Sequence, residues 1–258
     1  MSLRPRSAPF WMLFVLLAFS ASCRTEVATP EEPSISAEQP APELPPEPAA
    51  EPEPLPPPSS HHMGREIATT MHWSGSDWLW RDSREAEEST QQMLQALEVQ
   101  SGQTVCDLGA GSGYHALQLA SMVGADGRVL AVDIQQEMLA MLRERAQEAG
   151  VTNIETILGG VADPLLPPAS CDFILMVDVY HEISYPEQML ATLKPALRPG
   201  GRVVLAEFRA EDPEVHIKKN HKMSKSQVLR ELEASGFRLE RAYDELPQQH
   251  LLFFVVAD

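Results

Sequence analysis

The chain has 258 residues and a formal net charge of −17 at pH 7, with 20 Lys and Arg residues against 37 Asp and Glu residues. This length accommodates one well-buried domain of about 100–200 residues together with additional segments. Because no basic stripe offsets the acidic charge, the composition argues against binding to a phosphate backbone, and we expect no nucleic-acid partner.

The first 23 residues have the pattern of an export signal. Two arginines precede an apolar run over residues 10–19, and small residues then lead to Cys23. The run is shorter than the roughly 18–20 residues of a membrane-spanning helix. The end of the run, Ser20-Ala21-Ser22-Cys23, resembles the bacterial lipobox. This resemblance implies a lipidated Cys23 and a membrane-tethered protein facing the cell envelope or periplasm. An ordinary cleaved signal, an inner-membrane anchor and a cytoplasmic location are the alternatives.

Residues 24–60 form a second segment, rich in proline and glutamate. They contain twelve of the 22 prolines and eight glutamates, with no aromatic residue. Such a composition buries too little apolar surface to offset the entropy of ordering, so we predict a disordered tether.

Residues 61–100 are interpreted as a cap or lid that precedes the folded domain, which we place at residues 101–258. Trp73, Trp78 and Trp80 are three of the four tryptophans of the chain. Aromatic side chains in this position either form a lid that recognises a flat or cationic ligand or bury their own apolar surface, and both interpretations are open. We predict one helix over residues 83–97.

The rest of the chain alternates buried apolar runs with segments of helical periodicity. The runs predict strands at 104–109, 128–133, 153–158, 172–178, 202–208, 237–243 and 250–257. Helices are predicted at 113–123, 135–149, 184–197 and 224–235. This alternation indicates an α/β fold in which helices cover both faces of a mostly parallel sheet. The last two strands follow each other closely, so one of them is expected to run antiparallel.

A glycine-rich stretch, DLGAGSGYHA, follows the first predicted strand of this domain. Dinucleotide sites use the spacing G-x-G-x-x-G, but here the third glycine comes one residue early and is followed by Tyr114. The spacing of Gly109, Gly111 and Gly113 behind Asp107 instead resembles the first motif of class I S-adenosylmethionine (SAM) dependent methyltransferases.

Other motifs follow in the order of that family. They are Asp133 at the end of the second strand, the CDFILMVD run, the Pro199-Gly200-Gly201 turn and the late SGFRLE step, and the resemblance covers about residues 95–257. It implies a Rossmann-like sheet of seven mostly parallel strands with one antiparallel strand near the C-terminus. It also implies SAM as the cofactor and methyl transfer as the activity.

The resemblance assigns cofactor roles to individual residues. It implies that the glycines approach the amino-acid tail of SAM, that Asp107 positions the SAM ammonium group and that Asp133 binds the ribose hydroxyls. Ile134 would pack on the adenine. Further cofactor contacts are expected from two acids after later strands, Asp163 and Asp178.

The acceptor side of the cofactor is predicted in the loop DVYHEISYPEQ after the fourth strand. His181 is the predicted general base, because imidazole titrates near about pH 6.5, and Glu182 is its neighbour. A purely structural histidine is the alternative. Trp73, Trp78 and Tyr180 are the candidate contacts to the substrate. The polar loop 209–224, with its basic patch, is either solvated or in contact with an anionic substrate.

The expected acceptor is a small molecule. A tethered module that binds SAM or a nucleoside without methyl transfer is the competing interpretation, and a protein carboxyl methyltransferase is a third, because GSGYHALQLA also resembles protein L-isoaspartate methyltransferases. No ligand spacing typical of zinc sites is present, so no metal is expected. Cys106 and Cys171 are expected to be buried free thiols.

Overall fold

The computed structural model describes residues 54–257. The predicted export signal, the lipidation candidate Cys23 and most of the predicted tether lie outside the described residues. Within the described part, no helix combines the length and apolar character needed to cross a membrane.

The centre of the protein is a seven-stranded sheet that confirms the predicted architecture. Its strands are β3 (Thr104–Leu108), β4 (Arg128–Asp133), β5 (Ile154–Leu158), β6 (Cys171–Val177), β7 (Leu197–Phe208), β8 (Phe237–Tyr243) and β9 (Gln249–Val256). They lie in the order β5-β4-β3-β6-β7-β9-β8. All neighbouring pairs are parallel except those made by β9, which runs antiparallel to β7 and β8.

Helices cover both faces of this sheet. Helices α2 (Thr90–Ala96), α3 (Tyr114–Val123) and α4 (Gln136–Glu148) contribute to one buried apolar cluster. Helices α5 (Pro186–Ala196) and α6 (Lys225–Ala234) contribute to the other. Successive side chains of a strand point to opposite faces, so Val105 belongs to the first cluster and Cys106 to the second. Cys106 and Cys171 are buried free thiols, as predicted.

Helix boundaries follow local capping chemistry. The Ser224 side chain accepts a hydrogen bond from the Gln227 N–H at the start of α6. At the other end of α6, Gly236 has φ +75°, a left-handed conformation that glycine adopts without strain.

The prediction of one helix over residues 83–97 is wrong. The segment forms α1 (Arg84–Glu88) and α2, separated by Ser89 at φ +51°. The Glu85 carboxylate accepts a hydrogen bond from the Gln91 N–H at the start of α2. A side chain of α1 thereby caps α2, which compensates for the interruption of the backbone ladder.

A short hairpin of β1 (His61–His62) and β2 (Arg65–Glu66) packs on α6. Arg65 Nε lies 2.7 Å from a carboxylate oxygen of Glu231, which is fully buried. The Tyr180 hydroxyl donates to the same carboxylate at 2.9 Å. This ion pair fixes the segment before the sheet against the loop that follows β6.

Candidate active site

A cavity of about 720 Å³ opens where the parallel strands end. This is the edge at which open α/β sheets bind their ligands. The walls come from the ends of β3, β4, β6 and β7, from the lid segment and from loop 209–224. The lining includes Gly109, Gly111, Asp133, Ile134, Asp178, His181, Glu182, Phe208, Lys218 and His221.

The glycine loop after β3 is shaped by contacts within the protein. A Cβ on Gly109 would lie 2.4 Å from Val179 Cγ2, and one on Gly111 would lie 2.8 Å from Leu79 Cδ1. Both glycines also have positive φ angles and line the cavity. Their small size therefore brings the loop close to the β6 loop and to the lid.

Three consecutive N–H groups of this loop are already used inside the protein. Those of Gly109 and Ala110 donate to the Val132 carbonyl, and that of Gly111 donates to Asp133 Oδ2 at 2.8 Å. A dinucleotide site needs such N–H groups for its pyrophosphate. This hydrogen-bonding pattern fits a ligand without phosphate.

Asp133 joins the glycine loop to the start of α4. Its second oxygen, Oδ1, accepts from the Gln135 N–H at 2.8 Å. A carboxylate has about four lone-pair positions, so both oxygens can still accept from hydroxyl groups of a ligand. The neighbouring Ile134 lines the cavity and exposes 42% of its surface, an apolar face beside the carboxylate.

Asp107 is a buried acid without a partner for Oδ2. It lies in β3 directly behind the cavity-lining Leu108 and Gly109. Burial raises the pKa of Asp107 to about 7, against the opposing charge of Arg84 and with a further contribution from Asp133. An unsatisfied buried carboxylate is costly, so this position favours a ligand that brings a positive charge.

On the opposite side of the cavity, His181 is held by Glu207. Nδ1 of His181 lies 2.6 Å from Glu207 Oε2, and both side chains are buried. A carboxylate only accepts, so Nδ1 carries the proton and the lone pair of Nε2 is left for another partner. Burial opposes protonation of His181, but the charge and hydrogen bond of Glu207 together raise its pKa.

Two further side chains converge on Nε2 of His181. Nδ1 of His221 lies at 3.1 Å and Oε1 of Glu182 at 3.9 Å. Burial raises the pKa of Glu182 to about 7, although the His181 charge opposes the shift. Loop 209–224 delivers His221, whereas the 3-10 turn Tyr180–Glu182 delivers the other two residues.

Asp178 sits at the end of β6 with φ +55°, an uncommon conformation for a residue with a side chain. Its Oδ2 accepts from Gln249 Nε2 at 2.8 Å, while Oδ1 is buried without a partner. Burial, with the charges of Glu88 and Glu207, raises the pKa of Asp178. Asp178 also lines the cavity.

The lid segment closes the cavity through a 3-10 helix, Trp73–Trp80. Trp80 Nε1 donates to Ser112 Oγ of the glycine loop at 2.9 Å. Gln135 accepts from the Trp73 N–H and donates to the Met71 carbonyl. These bonds tie the lid to the two loops that carry the predicted cofactor residues.

Comparison with known proteins supports the interpretation of this cavity. A family model described as a methyltransferase domain matches residues 99–246. The chain belongs to the class I SAM-dependent methyltransferases. A crystal structure of a SAM-dependent methyltransferase from Aquifex aeolicus has a TM-score of 0.69 at 26% identity, and covers 73% of this chain and 100% of that chain. A putative methyltransferase from Haloferax volcanii, solved with the Trm112 methyltransferase activator, shares the fold at a TM-score of 0.59 and 17% identity, over 72% of this chain and 97% of that chain.

Curated relatives match this methyltransferase over shorter regions. A ubiquinone/menaquinone biosynthesis C-methyltransferase from Enterobacter sp. is 34% identical over 111 residues, which cover 43% of this chain and 44% of the relative. An uncharacterised 37.1 kDa protein in a transposon of Streptomyces fradiae is 36% identical over 115 residues, which cover 45% of this chain and 33% of the relative. The chain thus spans less than half the length of these relatives.

Five of the predicted site residues of the methyltransferase in the described part of the chain lie outside the cavity lining, and Asp107, behind Leu108, is one of them. Gly113 starts α3 at φ +95°, and a Cβ there would meet Leu142 Cγ at 2.7 Å, so its small size serves helix packing. Asp163 Oδ1 accepts from the Leu165 N–H within its own loop. The Trp73 side chain is partly exposed to solvent, and Tyr180 is fully buried against Glu231. Contact of these residues with cofactor or substrate stays a prediction.

Two residues of the site, Glu207 and Gln135, were not identified from the sequence. Glu207 orients His181. Its sequence signal is an acidic residue inside the apolar run RVVLAEF. Gln135 fastens the lid, and the sequence carries no pattern for this contact. Arg84 also lines the cavity, and it pairs with Glu88 one helical turn away in α1.

Proposed function

We propose that this methyltransferase transfers the methyl group of SAM to a small molecule bound beside His181 and Glu182. The observation that carries the proposal is one continuous cavity with Asp133 and the glycine loop on one side and the His181–Glu207 pair on the other. SAM carries an ammonium group and ribose hydroxyls but no phosphate. The loop around Asp133 and Asp107 offers acceptors for these donors and keeps its own N–H groups occupied.

The orientation of SAM follows from the chemistry of the lining. Asp133 would accept from the ribose hydroxyls, Ile134 would pack on the adenine, and Asp107 would attract the ammonium group directly or through water. The sulfonium methyl then points towards Asp178 and His181.

The reaction is an in-line displacement. A lone pair of the acceptor forms a bond to the methyl carbon, the carbon–sulfur bond breaks, and its electron pair remains on sulfur, which becomes a neutral thioether. The acceptor also loses a proton. The lone pair of His181 Nε2, which faces His221 Nδ1 at 3.1 Å, can receive this proton, and Glu207 stabilises the resulting imidazolium.

The acceptor end of the cavity suggests the class of substrate. Apolar side chains surround the polar cluster there, among them Met189, Phe208 and Ile217. We infer an acceptor with an apolar body and one ionisable group. The partial similarity to a ubiquinone/menaquinone biosynthesis C-methyltransferase supports testing ring-containing acceptors first.

Two variants test this proposal in the full-length protein. His181→Ala should leave SAM binding unchanged, as measured by calorimetry, and should lower turnover by roughly 10²–10⁴-fold, the usual contribution of a general base. His61→Ala, on the exposed hairpin, is the matched control. Equal turnover of His181→Ala and His61→Ala, measured as release of the thioether product from SAM with phenols, thiols and hydroquinones, would refute the role of His181. SAM binding without turnover on any acceptor would favour the binding module instead.

For the N-terminal region we propose lipidation at Cys23 and a membrane tether. The proposal is supported by the basic start, the short apolar run and the small residues before Cys23. Labelling of cells with palmitate should mark the wild-type protein and not Cys23→Ser. An unlabelled wild-type protein in the cytosolic fraction would overturn it.

A further inference from the structure

Nε2 of His181, Oε1 of Glu182 and Nδ1 of His221 form a compact triangle in the wall of the cavity. The three distances are 3.1 Å between the histidine nitrogens, 3.9 Å from His181 to Glu182 and 3.6 Å from His221 to Glu182. Within residues 54–257, this is the one group of three His, Cys, Asp or Glu side chains whose ligand atoms converge in this way.

The triangle has the size of a metal site. A circle through its three corners has a radius of about 2.1 Å, so one point lies at about that distance from all three ligand atoms. This agrees with the bond lengths of zinc, which are about 2.0–2.1 Å to imidazole nitrogen and about 2.0–2.2 Å to carboxylate oxygen. Two imidazoles and one carboxylate are also a donor set that binds first-row divalent metals. From this geometry we propose that His181, Glu182 and His221 bind one divalent transition-metal ion, with Zn²⁺ as the representative ion.

Residues behind the triangle support the same proposal. Glu207 accepts the proton of His181 Nδ1 and thereby fixes the tautomer whose Nε2 lone pair faces the other two ligand atoms. A histidine that is oriented by a carboxylate on its other nitrogen is the usual outer-shell arrangement of metal sites. The backbone carbonyl of His181 is held in turn by the Ala68 N–H at 3.0 Å and by Arg65. The ligands are thus positioned before any ion binds.

The site opens towards the proposed acceptor. All three ligand residues line the cavity, so three protein ligands would leave a coordination position for an oxygen, nitrogen or sulfur atom of the substrate. Coordination lowers the pKa of such a group and fixes its position. This use of the ion rests on the proposed function, and His181 would then act as a ligand rather than as a base. The binding of the ion depends only on the three side chains.

The experiment is a calorimetric titration of the full-length, chelator-dialysed protein with ZnCl₂, with metal content measured by mass spectrometry. We expect one ion per wild-type chain. Glu207→Gln should lower the affinity by roughly 10–100-fold, the usual effect of losing an outer-shell partner, and His221→Ala should lower it further. His216→Ala, which removes a cavity histidine outside the triangle, should bind as the wild type does. Cobalt substitution should give a visible absorption band that disappears in His221→Ala.

The outcomes separate this site from other sources of binding. Absence of zinc binding to the wild type would overturn the proposal. Zinc binding by His221→Ala with the same affinity as the wild type would also overturn it, because the zinc would then occupy adventitious sites such as His61 and His62. SAM titration of the same variants provides the second readout. Normal SAM binding by His221→Ala would show that this variant folds. Failure of the wild type to bind SAM would refute the proposed function, but it would leave the proposal of a metal site standing.

Discussion

Asp107 provides the sharpest test of the physical reasoning, through the substitution Asp107→Asn. Burial raises the pKa of Asp107 to about 7 in the folded protein, from its ordinary value of 3.8. The charged groups that face it are Arg84 from α1 and Asp133 from β4. Because the folded-state pKa is raised, the contribution of Asp107 to stability is fully present below about pH 4 and is lost as the pH rises through about 7.

The magnitude follows from linkage. One pKa unit corresponds to about 1.36 kcal/mol, so Asp107 alone should lower the free energy of unfolding by about 2.5 kcal/mol between pH 5 and pH 8. Asparagine has nearly the same shape and does not titrate, so the pH dependence of Asp107→Asn should be flatter than that of the wild type by this amount. Excess SAM should recover part of the loss in the wild type at pH 8, because its ammonium group compensates the carboxylate.

Urea denaturation of both proteins at pH 5 and pH 8, with and without SAM, measures these differences. The comparison between the two proteins cancels the titration of other acids. Parallel pH profiles for wild type and Asp107→Asn would refute the assignment of a raised pKa to this residue. The contact between Asp107 and the ammonium group would be refuted by a second result. In that result the stability of Asp107→Asn depends less on pH, but SAM stabilises the wild type at pH 8 no more than it stabilises the variant.

The remaining predictions concern the cofactor loop and the anchor of the lid. Asp133→Ala should weaken SAM binding at least tenfold by calorimetry, because it removes the ribose acceptor and releases the Gly111 N–H; wild-type affinity would contradict this. Gly109→Ala should cost at least about 2 kcal/mol of stability from backbone strain and contact with Val179, and Val179→Ala in the same chain should recover only the steric part. Arg65→Met should lower the free energy of unfolding by about 3–5 kcal/mol because it leaves Glu231 charged and buried. Adding Glu231→Gln to the Arg65→Met protein should recover much of this loss, as measured by thermal melts. Equal melting temperatures of the single and the double variant would exclude the ion pair as an anchor.

The sheet could be predicted from the sequence because each strand is a short apolar run between helical segments. The predicted range 128–133 agrees with β4, and the antiparallel pairing near the C-terminus follows from the short link before β9. Asp133 could be placed beside the glycine loop for the same reason, since β3 and β4 are adjacent and parallel. The signal in these cases is local in the chain.

The lid and the histidine cluster could not be predicted in this way. The break at Ser89 is accompanied by a side-chain contact in which Glu85 caps the next helix, and helix propensity gives no sign of it. His181 and His221 are 40 residues apart and meet only because loop 209–224 folds back over the ends of β6 and β7. The spacing between them resembles no ligand motif, so the sequence predicted no metal.

The most direct test of the central claim is a titration of the full-length protein with SAM. We predict binding of one SAM per chain that weakens strongly in Asp133→Ala and persists in His181→Ala. No detectable binding at millimolar SAM would contradict it.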